Sequence, residues 1–217
     1  MLSNMQGFIA GLLGILVALT VHECFHAWVA DRLGDPTARY MGRISLNPLV
    51  HLDPLGALMM FMAAISGRGI GWGKPVQVNP RNLRYGPRVG MGIVSFAGPF
   101  ANVVMAAVFG LPIRLGLRLP GTLSQLLLTM MFINIGLAVF NLIPLPPLDG
   151  YGVLQGILAG VRGRWSYELS QKLIALERQG PLILLFLILI DQSLRLSLLG
   201  RVMDPFVWFL TRLILGV

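Results

Sequence analysis

The sequence has little charge. Of its 217 residues, 12% are Asp, Glu, Lys or Arg, whereas 55% are hydrophobic and the mean hydropathy is +0.75. Soluble domains carry about 25% charged residues. A chain with half that share cannot cover a water-exposed surface, so a soluble globular protein is excluded. A disordered chain is excluded as well, because disorder requires low hydrophobicity and high charge. The composition predicts a compact integral membrane protein.

Cysteine and acidic residues are also scarce. The one cysteine, Cys24, excludes an internal disulfide. Lys and Arg number 17 against 9 Asp and Glu, which gives a net charge of +8. The basic residues lie between apolar runs, where anionic lipid headgroups explain them better than nucleic acid does. We therefore expect a lipid bilayer around the chain and no nucleic-acid partner.

Long apolar runs make up most of the remaining sequence. A membrane-crossing helix needs about 20 apolar residues, and the predicted helices lie at 7–30, 91–111, 123–143, 181–199 and 204–217. The run at 55–65 is too short to cross, so we interpret it as re-entrant. Weak alternation predicts a short strand at 76–78. The predicted fold is an all-α polytopic membrane helix bundle with about four to six apolar segments.

His22, Glu23 and His26 form the pattern H-E-x-x-H within the first apolar run. On a helix, residues i and i+4 share a face, so both imidazoles can point at one metal ion. Glu23 lies beside them and can take a proton from an activated water, as in zinc proteases. Ionisable side chains inside a membrane span are costly and indicate function. The alternative is a polar cluster that joins helices by hydrogen bonds.

A catalytic zinc usually has a third protein ligand and one open position. Four residues in or near apolar segments are candidates for that ligand: His51, Asp53, Asp149 and Asp191. Asp149 is the strongest candidate because it follows an apolar run and a proline-rich break. Asp-Gly is also a common turn pair, so a turn role for Asp149 stays open.

The chain resembles the site-2 protease family of intramembrane zinc metalloproteases (peptidase family M50), in its compact form without a PDZ domain. His22 to His26 match the family's H-E-x-x-H helix, and Asn141 to Gly150 match its N-x-x-P-x-x-x-x-D-G motif. The stretch at 95–102, which contains Gly98-Pro99 and Asn102, is similar to the family's middle core helix. Residues 42–54 and the loop at 71–75 also look like compact members. The resemblance covers roughly residues 7–155.

The resemblance implies one zinc ion per chain, held by His22, His26 and Asp149, with Glu23 as the general base. It also implies that Asn141 binds the substrate or the oxyanion, and Asn102 is a further candidate near the zinc.

The implied core domain at 1–155 holds a zinc helix at 7–30, a middle core helix at 91–111 and a third-ligand helix at 123–143. Residues 156–217 form the predicted carboxyl-terminal membrane segments.

Membrane topology tests whether the ligands can meet. If 55–65 crosses the bilayer, Ala30 and Asp149 emerge on opposite faces, and if it is re-entrant they emerge on the same face. With re-entry, the positive-inside rule favours a site near the cytoplasmic face of a multi-pass cell-membrane protein. One side then holds twelve basic residues and the other four, in this order: Arg32, Arg39, Arg43, Arg68, Lys74, Arg81, Arg84, Arg88, Arg162, Arg164, Lys172 and Arg178, against Arg114, Arg118, Arg195 and Arg201.

The sequence therefore predicts a zinc metalloendopeptidase that hydrolyses peptide bonds of transmembrane protein substrates. The alternative is a zinc transporter or sensor without proteolytic activity. A transporter often has repeated halves, and no internal repeat is evident in this sequence. The sequence does not indicate the oligomeric state or the physiological substrate.

Overall fold

The computed structural model describes residues 2–66, 72–194 and 196–216, which form an all-α membrane helical bundle, as predicted. The helices of these residues are α1 (Leu2–Arg32), α2 (Thr37–Tyr40), α3 (Pro54–Ser66), α4 (Pro87–Arg114), α5 (Gly121–Asn141), α6 (Asp149–Gly160), α7 (Arg164–Glu177), α8 (Gly180–Leu194) and α9 (Leu198–Leu215).

Three of these helices are long and apolar enough to cross a membrane, namely α1 from Gly7 onward, α4 and α5. Together they surround the candidate site. A bent pair, α7 and α8, meets at 74° and would count as a fourth span if the two helices act as one. The described residues thus support three or four crossings.

α1 ends where its sequence turns from apolar to Gly34-Asp35-Pro36. Gly34 adopts a φ of +107°, a left-handed conformation that glycine reaches without steric cost. The amide of Asp35 then donates to the carbonyl of Ala30 at 2.9 Å, which satisfies one of the last free carbonyls of the helix. The turn directs the chain back across the end of α1.

α4 lies at the centre of the bundle and runs unbroken through Pro99 and Pro112. Its backbone touches that of α6, because a Cβ built on Gly92 would lie 2.8 Å from Gly156 Cα. Two facing glycines therefore permit the close approach of these helices. The predicted helix at 91–111 corresponds to this element, which extends about one further turn at each end.

The carboxyl-terminal helix packs on the same core as the central ones. A buried apolar cluster joins α4, α5 and α9 through Ala106, Met131, Ile135, Val139 and Ile214. The domain boundary predicted at residue 155 falls inside α6 (Asp149–Gly160). The division into a core domain and carboxyl-terminal membrane segments stays a prediction.

The chain leaves and returns on one side of the bundle around α3. Leu52 and Gly73 form an antiparallel bridge, and a Cβ on Gly56 would lie 3.0 Å from the carbonyl carbon of Trp72. The 13 residues of α3 rise about 20 Å, short of the ~30 Å hydrocarbon core. A re-entrant segment requires both features: ends that lie close together and a helix too short to cross the membrane.

The prediction of a strand at 76–78 is wrong. Residues 74–79 form neither helix nor strand, although Val76 and Val78 are half-buried while Gln77 is exposed. A strand requires a neighbour to pair with. Within the described part of the chain, the only bridge in this region is that of Gly73 with Leu52. The predicted loop at 71–75 lies partly outside the described residues, because Gly71 is not among them.

Candidate metal centre

His22 and His26 lie one turn apart on α1 and face the same point. Both are buried, with 4% and 8% of their surface exposed. Their Nε2 atoms are 3.0 Å apart, and the rings meet edge to face. The helical i, i+4 spacing brings the two imidazoles together as the sequence pattern predicts.

Asp149 reaches the histidines from the other end of the fold. α5 ends at Asn141, and a turn containing Pro144, Pro146 and Pro147 leads to Asp149, the first residue of α6. Its Oδ2 atom lies 2.9 Å from His22 Nε2 and 3.2 Å from His26 Nε2. The proline-rich break therefore positions the carboxylate directly over the histidine pair.

Hydrogen bonds on the far side of each ring fix where its proton lies. The Asn102 amide donates to Ala18 O at 3.0 Å and to Asn134 Oδ1 at 2.9 Å, so Asn102 Oδ1 is the acceptor for His22 Nδ1 at 2.6 Å. His26 Nδ1 donates to the carbonyl of Val94 at 2.7 Å. A neutral imidazole carries one proton. Both Nε2 atoms therefore present a lone pair to the centre.

Three electron-pair donors thus converge with no proton between them. Asp149 Oδ2 is buried and has no hydrogen-bond donor, and the three ligand atoms lie within 4.8 Å of one another. Around a tetrahedral zinc with bonds of about 2.0–2.1 Å, ligand atoms are separated by roughly 3.3 Å. The observed separations of 2.9–3.2 Å are close to that value. The donor set fits a zinc ion.

Gly98 allows α4 to pass directly beside this centre. A Cβ at position 98 would lie 2.6 Å from His26 Cε1 and 2.7 Å from His22 Cε1, with His26 Nε2 closer still. No side chain fits there without displacing a histidine. Gly98 therefore provides room for the imidazoles.

The centre opens into a cavity of about 440 Å³. Glu23, half-buried, lines this cavity together with His22, His26 and Asp149. Asn141 lines it as well, and its amide donates back to Leu137 O at 3.0 Å. One wall is formed by the chain around 72–78. Glu23 and Asn141 therefore line the space that a molecule bound at this centre would occupy.

Comparison with known proteins bears on what this centre is. The profile of Peptidase family M50 matches residues 118–187. YwhC of Bacillus subtilis, named as a candidate zinc metalloprotease, is 38% identical over 159 residues, which are 69% of this chain and 70% of YwhC. The chain belongs to peptidase family M50. The resemblance seen in the sequence motifs is confirmed.

Two mycobacterial relatives, both named Rip2 and also named as candidate zinc metalloproteases, agree with this assignment. The protein of Mycolicibacterium smegmatis is 33% identical over 71% of this chain, and that of Mycobacterium tuberculosis is 32% identical over 68%. The matches span 59% and 57% of those relatives' own length. No solved structure matches the chain. These names and the family profile identify the M50 chain as a metalloprotease.

The other third-ligand candidates of this M50 chain lie elsewhere. His51 is buried and its Nε2 donates to Ser45 O at 2.8 Å. Asp53 Oδ1 accepts from the amide of Gly56 at 2.8 Å, within the first turn of α3. Asp191 Oδ1 accepts from the amide of Leu198 at 2.5 Å. Among the described residues, only Asp149 joins the two histidines.

The sequence identifies Asn102 as a candidate near the zinc but not its role, and it misses the backbone group that holds His26. Asn102 is fully buried behind His22, so its position favours orienting the imidazole over contacting a substrate. The carbonyl of Val94, which holds His26, is a backbone group that no sequence pattern marks. A signal for Asn102 does exist, because an Asn inside an apolar run must find polar partners.

Proposed function

We propose that this M50 metalloprotease is an intramembrane enzyme that hydrolyses peptide bonds of transmembrane substrates. The observation that carries the proposal is the convergence of His22, His26 and Asp149 beside Glu23 in one cavity. The ligand helix α1 is long and apolar enough to cross a membrane. A catalytic site on a membrane-crossing helix acts on peptide bonds within the membrane, which a site exposed to water does not reach.

One zinc ion per chain is the proposed cofactor, held by His22, His26 and Asp149. A zinc ion bound there polarises a peptide carbonyl and acidifies water. Asn102 and the Val94 carbonyl keep both imidazoles in the tautomer that presents Nε2. Glu23 takes the proton of the attacking water and returns it to the leaving amine. Asn141 is placed to hydrogen-bond the substrate or the oxyanion.

A second cavity supports the entry of water. It has a volume of about 640 Å³ and shares Ser95, Leu148 and Asp149 with the site cavity. Its remaining walls include charged and polar side chains, among them Arg88 and Glu177. Hydrolysis in an apolar bundle requires such a route, because the reaction consumes one water for each peptide bond.

The chain around 72–78 supports the binding of an extended substrate. Gly73, Pro75, Val76 and Val78 line the same cavity as His22, His26 and Asp149. A transmembrane helix has its backbone hydrogen bonds satisfied internally, so it must unwind locally before hydrolysis. An unwound backbone can then pair with this unpaired segment of the enzyme.

We place the enzyme in the cell membrane as a multi-pass protein with its site toward the cytoplasm. Two features support this orientation: the excess of basic residues on the side of the loops at 32–53 and 74–88, and the return of the chain around α3 on that same side.

The proposal is tested with purified full-length protein of measured zinc content and a panel of transmembrane peptides. We expect cleavage by the wild type and a 10²- to 10⁴-fold loss of rate in Glu23→Gln, with zinc retained, because a general base contributes about that factor. Glu168→Gln is the matched control, since Glu168 is exposed and pairs with Arg164. Zinc binding without cleavage of any peptide would support a transporter or sensor, and undiminished cleavage by Glu23→Gln would overturn the assigned mechanism.

A further inference from the structure

Two charged side chains are buried in the loop that follows α1, away from the metal ligands. Arg43 is 3% exposed and Asp35 is fully buried. Charged side chains are almost never buried to this extent unless they are paired, because desolvation of a charge is costly. The two side chains do not pair with each other, so each is held by partners elsewhere in the described residues.

Arg43 holds the amino end of the segment that lines the site. Its Nη1 atom donates to Val50 O at 2.5 Å and to Lys74 O at 3.3 Å. The amide of Lys74 donates to the carbonyl of His51 at 2.8 Å. His51 is itself fixed by its own side chain, whose Nε2 donates to Ser45 O. Lys74 is therefore held at both its amide and its carbonyl.

Asp35 holds the carboxyl end of the same segment. Its Oδ2 atom accepts from the amide of Asn79 at 2.7 Å, and its Oδ1 atom accepts from the side-chain amide of Asn82 at 2.9 Å. Thr37 donates to Oδ1 through its hydroxyl at 2.6 Å. The carboxylate therefore joins the end of α1 to the point where residues 74–79 end.

Between these two anchors the backbone is free. Within the described part of the chain, residues 75–78 have no backbone hydrogen-bond partner, yet Val76 and Val78 line the cavity that contains Glu23. The segment also lies tightly on α1, because a Cβ on Gly73 would be 2.9 Å from Leu19, one turn before Glu23. An unpaired backbone is thus held at a fixed distance from the metal ligands.

We propose that Arg43 and Asp35 are positioning residues that hold the 74–79 segment at both ends as a preformed template for the substrate backbone. This inference rests on the proposed protease function. Neither residue touches the reacting atoms. Their role is to keep the free backbone groups of 75–78 in register with the metal centre, so that a substrate binds without first ordering the segment.

The first test measures steady-state cleavage of a transmembrane peptide by Arg43→Gln, Asp35→Asn and wild type, each with measured zinc content. We expect KM to rise about tenfold in both variants while kcat changes less than about twofold and zinc is retained, because binding alone is weakened. Arg81→Gln is the matched control, since Arg81 is exposed beside the segment. Arg43→Lys should restore part of the affinity, because an ammonium can still donate to both carbonyls.

The second test does not depend on activity. Hydrogen–deuterium exchange is measured for peptides covering residues 74–79 in the full-length protein. We expect at least about tenfold faster exchange of the Lys74 amide in Arg43→Gln and of the Asn79 amide in Asp35→Asn, because each loses its anchor. Arg81→Gln should match the wild type. Unchanged exchange in both variants, or an unchanged KM with faster exchange, would overturn the proposal. If both variants exchange faster than the wild type but the wild type cleaves no peptide, the two anchors stand, and the proposed function fails together with the substrate-binding role that rests on it.

Discussion

Two carboxylates in this chain, which has few acidic residues, have opposite surroundings. Asp35 accepts hydrogen bonds from Thr37, Asn79 and Asn82, so its charge is fully satisfied by donors. Asp149 Oδ2 has no donor and faces two imidazole nitrogens whose protons lie on the opposite side of each ring. The first carboxylate is part of the scaffold, whereas the second has the surroundings of a metal ligand.

The difference shows how a functional carboxylate can be recognised in a membrane protein. Burial alone does not identify the functional carboxylate, because Asp35 is fully buried whereas the Asp149 side chain is 18% exposed. What distinguishes them is the identity of the neighbouring atoms. Donors around a carboxylate indicate structure, and converging lone pairs indicate a metal site.

The largest expected effect is that of Asp149→Asn. The amide keeps the shape of the side chain and removes the charge, so we expect zinc affinity to fall by more than a hundredfold. Removal of a residue that only hydrogen-bonds a metal ligand already lowers metal affinity about 10–100-fold. Asp35→Asn is the comparison, with full zinc content expected. Competition with a chromogenic chelator measures both, and equal affinities in the two variants would remove the distinction between the carboxylates.

Gly98→Ala should have the second largest effect on zinc affinity. Its methyl group would lie 2.6–2.7 Å from both imidazole rings, so one histidine must move and zinc affinity should fall about a hundredfold. Gly136→Ala is the matched control, because a Cβ at that position meets nothing within 4 Å. If Gly98→Ala bound zinc as tightly as Gly136→Ala, the close approach of α4 to the histidines would be wrong.

A smaller loss of zinc affinity is expected for Asn102→Leu. The side chain has similar size but cannot accept from His22 Nδ1, so the imidazole loses the partner that sets its tautomer. We expect about tenfold weaker zinc binding. Asn134→Leu should have less effect, since Asn134 reaches His22 only through Asn102. An effect of Asn134→Leu as large as that of Asn102→Leu would indicate general loss of packing instead.

The smallest expected effect is on how the thermal stability of the protein depends on pH. Burial by itself raises the pKa of the Asp35 carboxyl, but hydrogen bonds from Thr37, Asn82 and Asn79 outweigh it and leave that pKa below its ordinary value of 3.8. A lowered pKa means that stability is present above the ordinary value and is lost as the pH falls through the folded value. We expect Tm in detergent to drop below about pH 4, and to drop less in Asp35→Asn. Parallel pH curves for the two proteins would contradict this.

The sequence was sufficient to predict three candidate metal ligands that meet in the structure, because these residues are carried by local patterns. His22 and His26 are spaced by one helical turn, and Asp149 follows a proline-rich break that no helix can continue. The long helices were predictable for the same reason, since length and hydropathy are local properties. The positions of His22, His26 and Asp149 as zinc ligands remain a proposal, but the three side chains do meet.

What the sequence could not provide depends on contacts between distant residues. The alternation at Val76 and Val78 was recognised, but the absence of a pairing neighbour was not visible. The role of Asp35 was not predicted, because its partner Asn79 lies 44 residues away. α6 was not predicted, since its glycines suggest a loop. In the structure Gly156 lets the helix pack directly on α4.

The most direct test of the central claim is the zinc content and zinc X-ray absorption spectrum of the purified wild-type protein. We predict one zinc per chain with only nitrogen and oxygen neighbours at about 2.0–2.2 Å, including two imidazoles. A chain that binds no zinc would contradict the account. So would a sulfur neighbour at about 2.3 Å, because Cys24, the one thiol in the chain, would then be a ligand in place of Asp149.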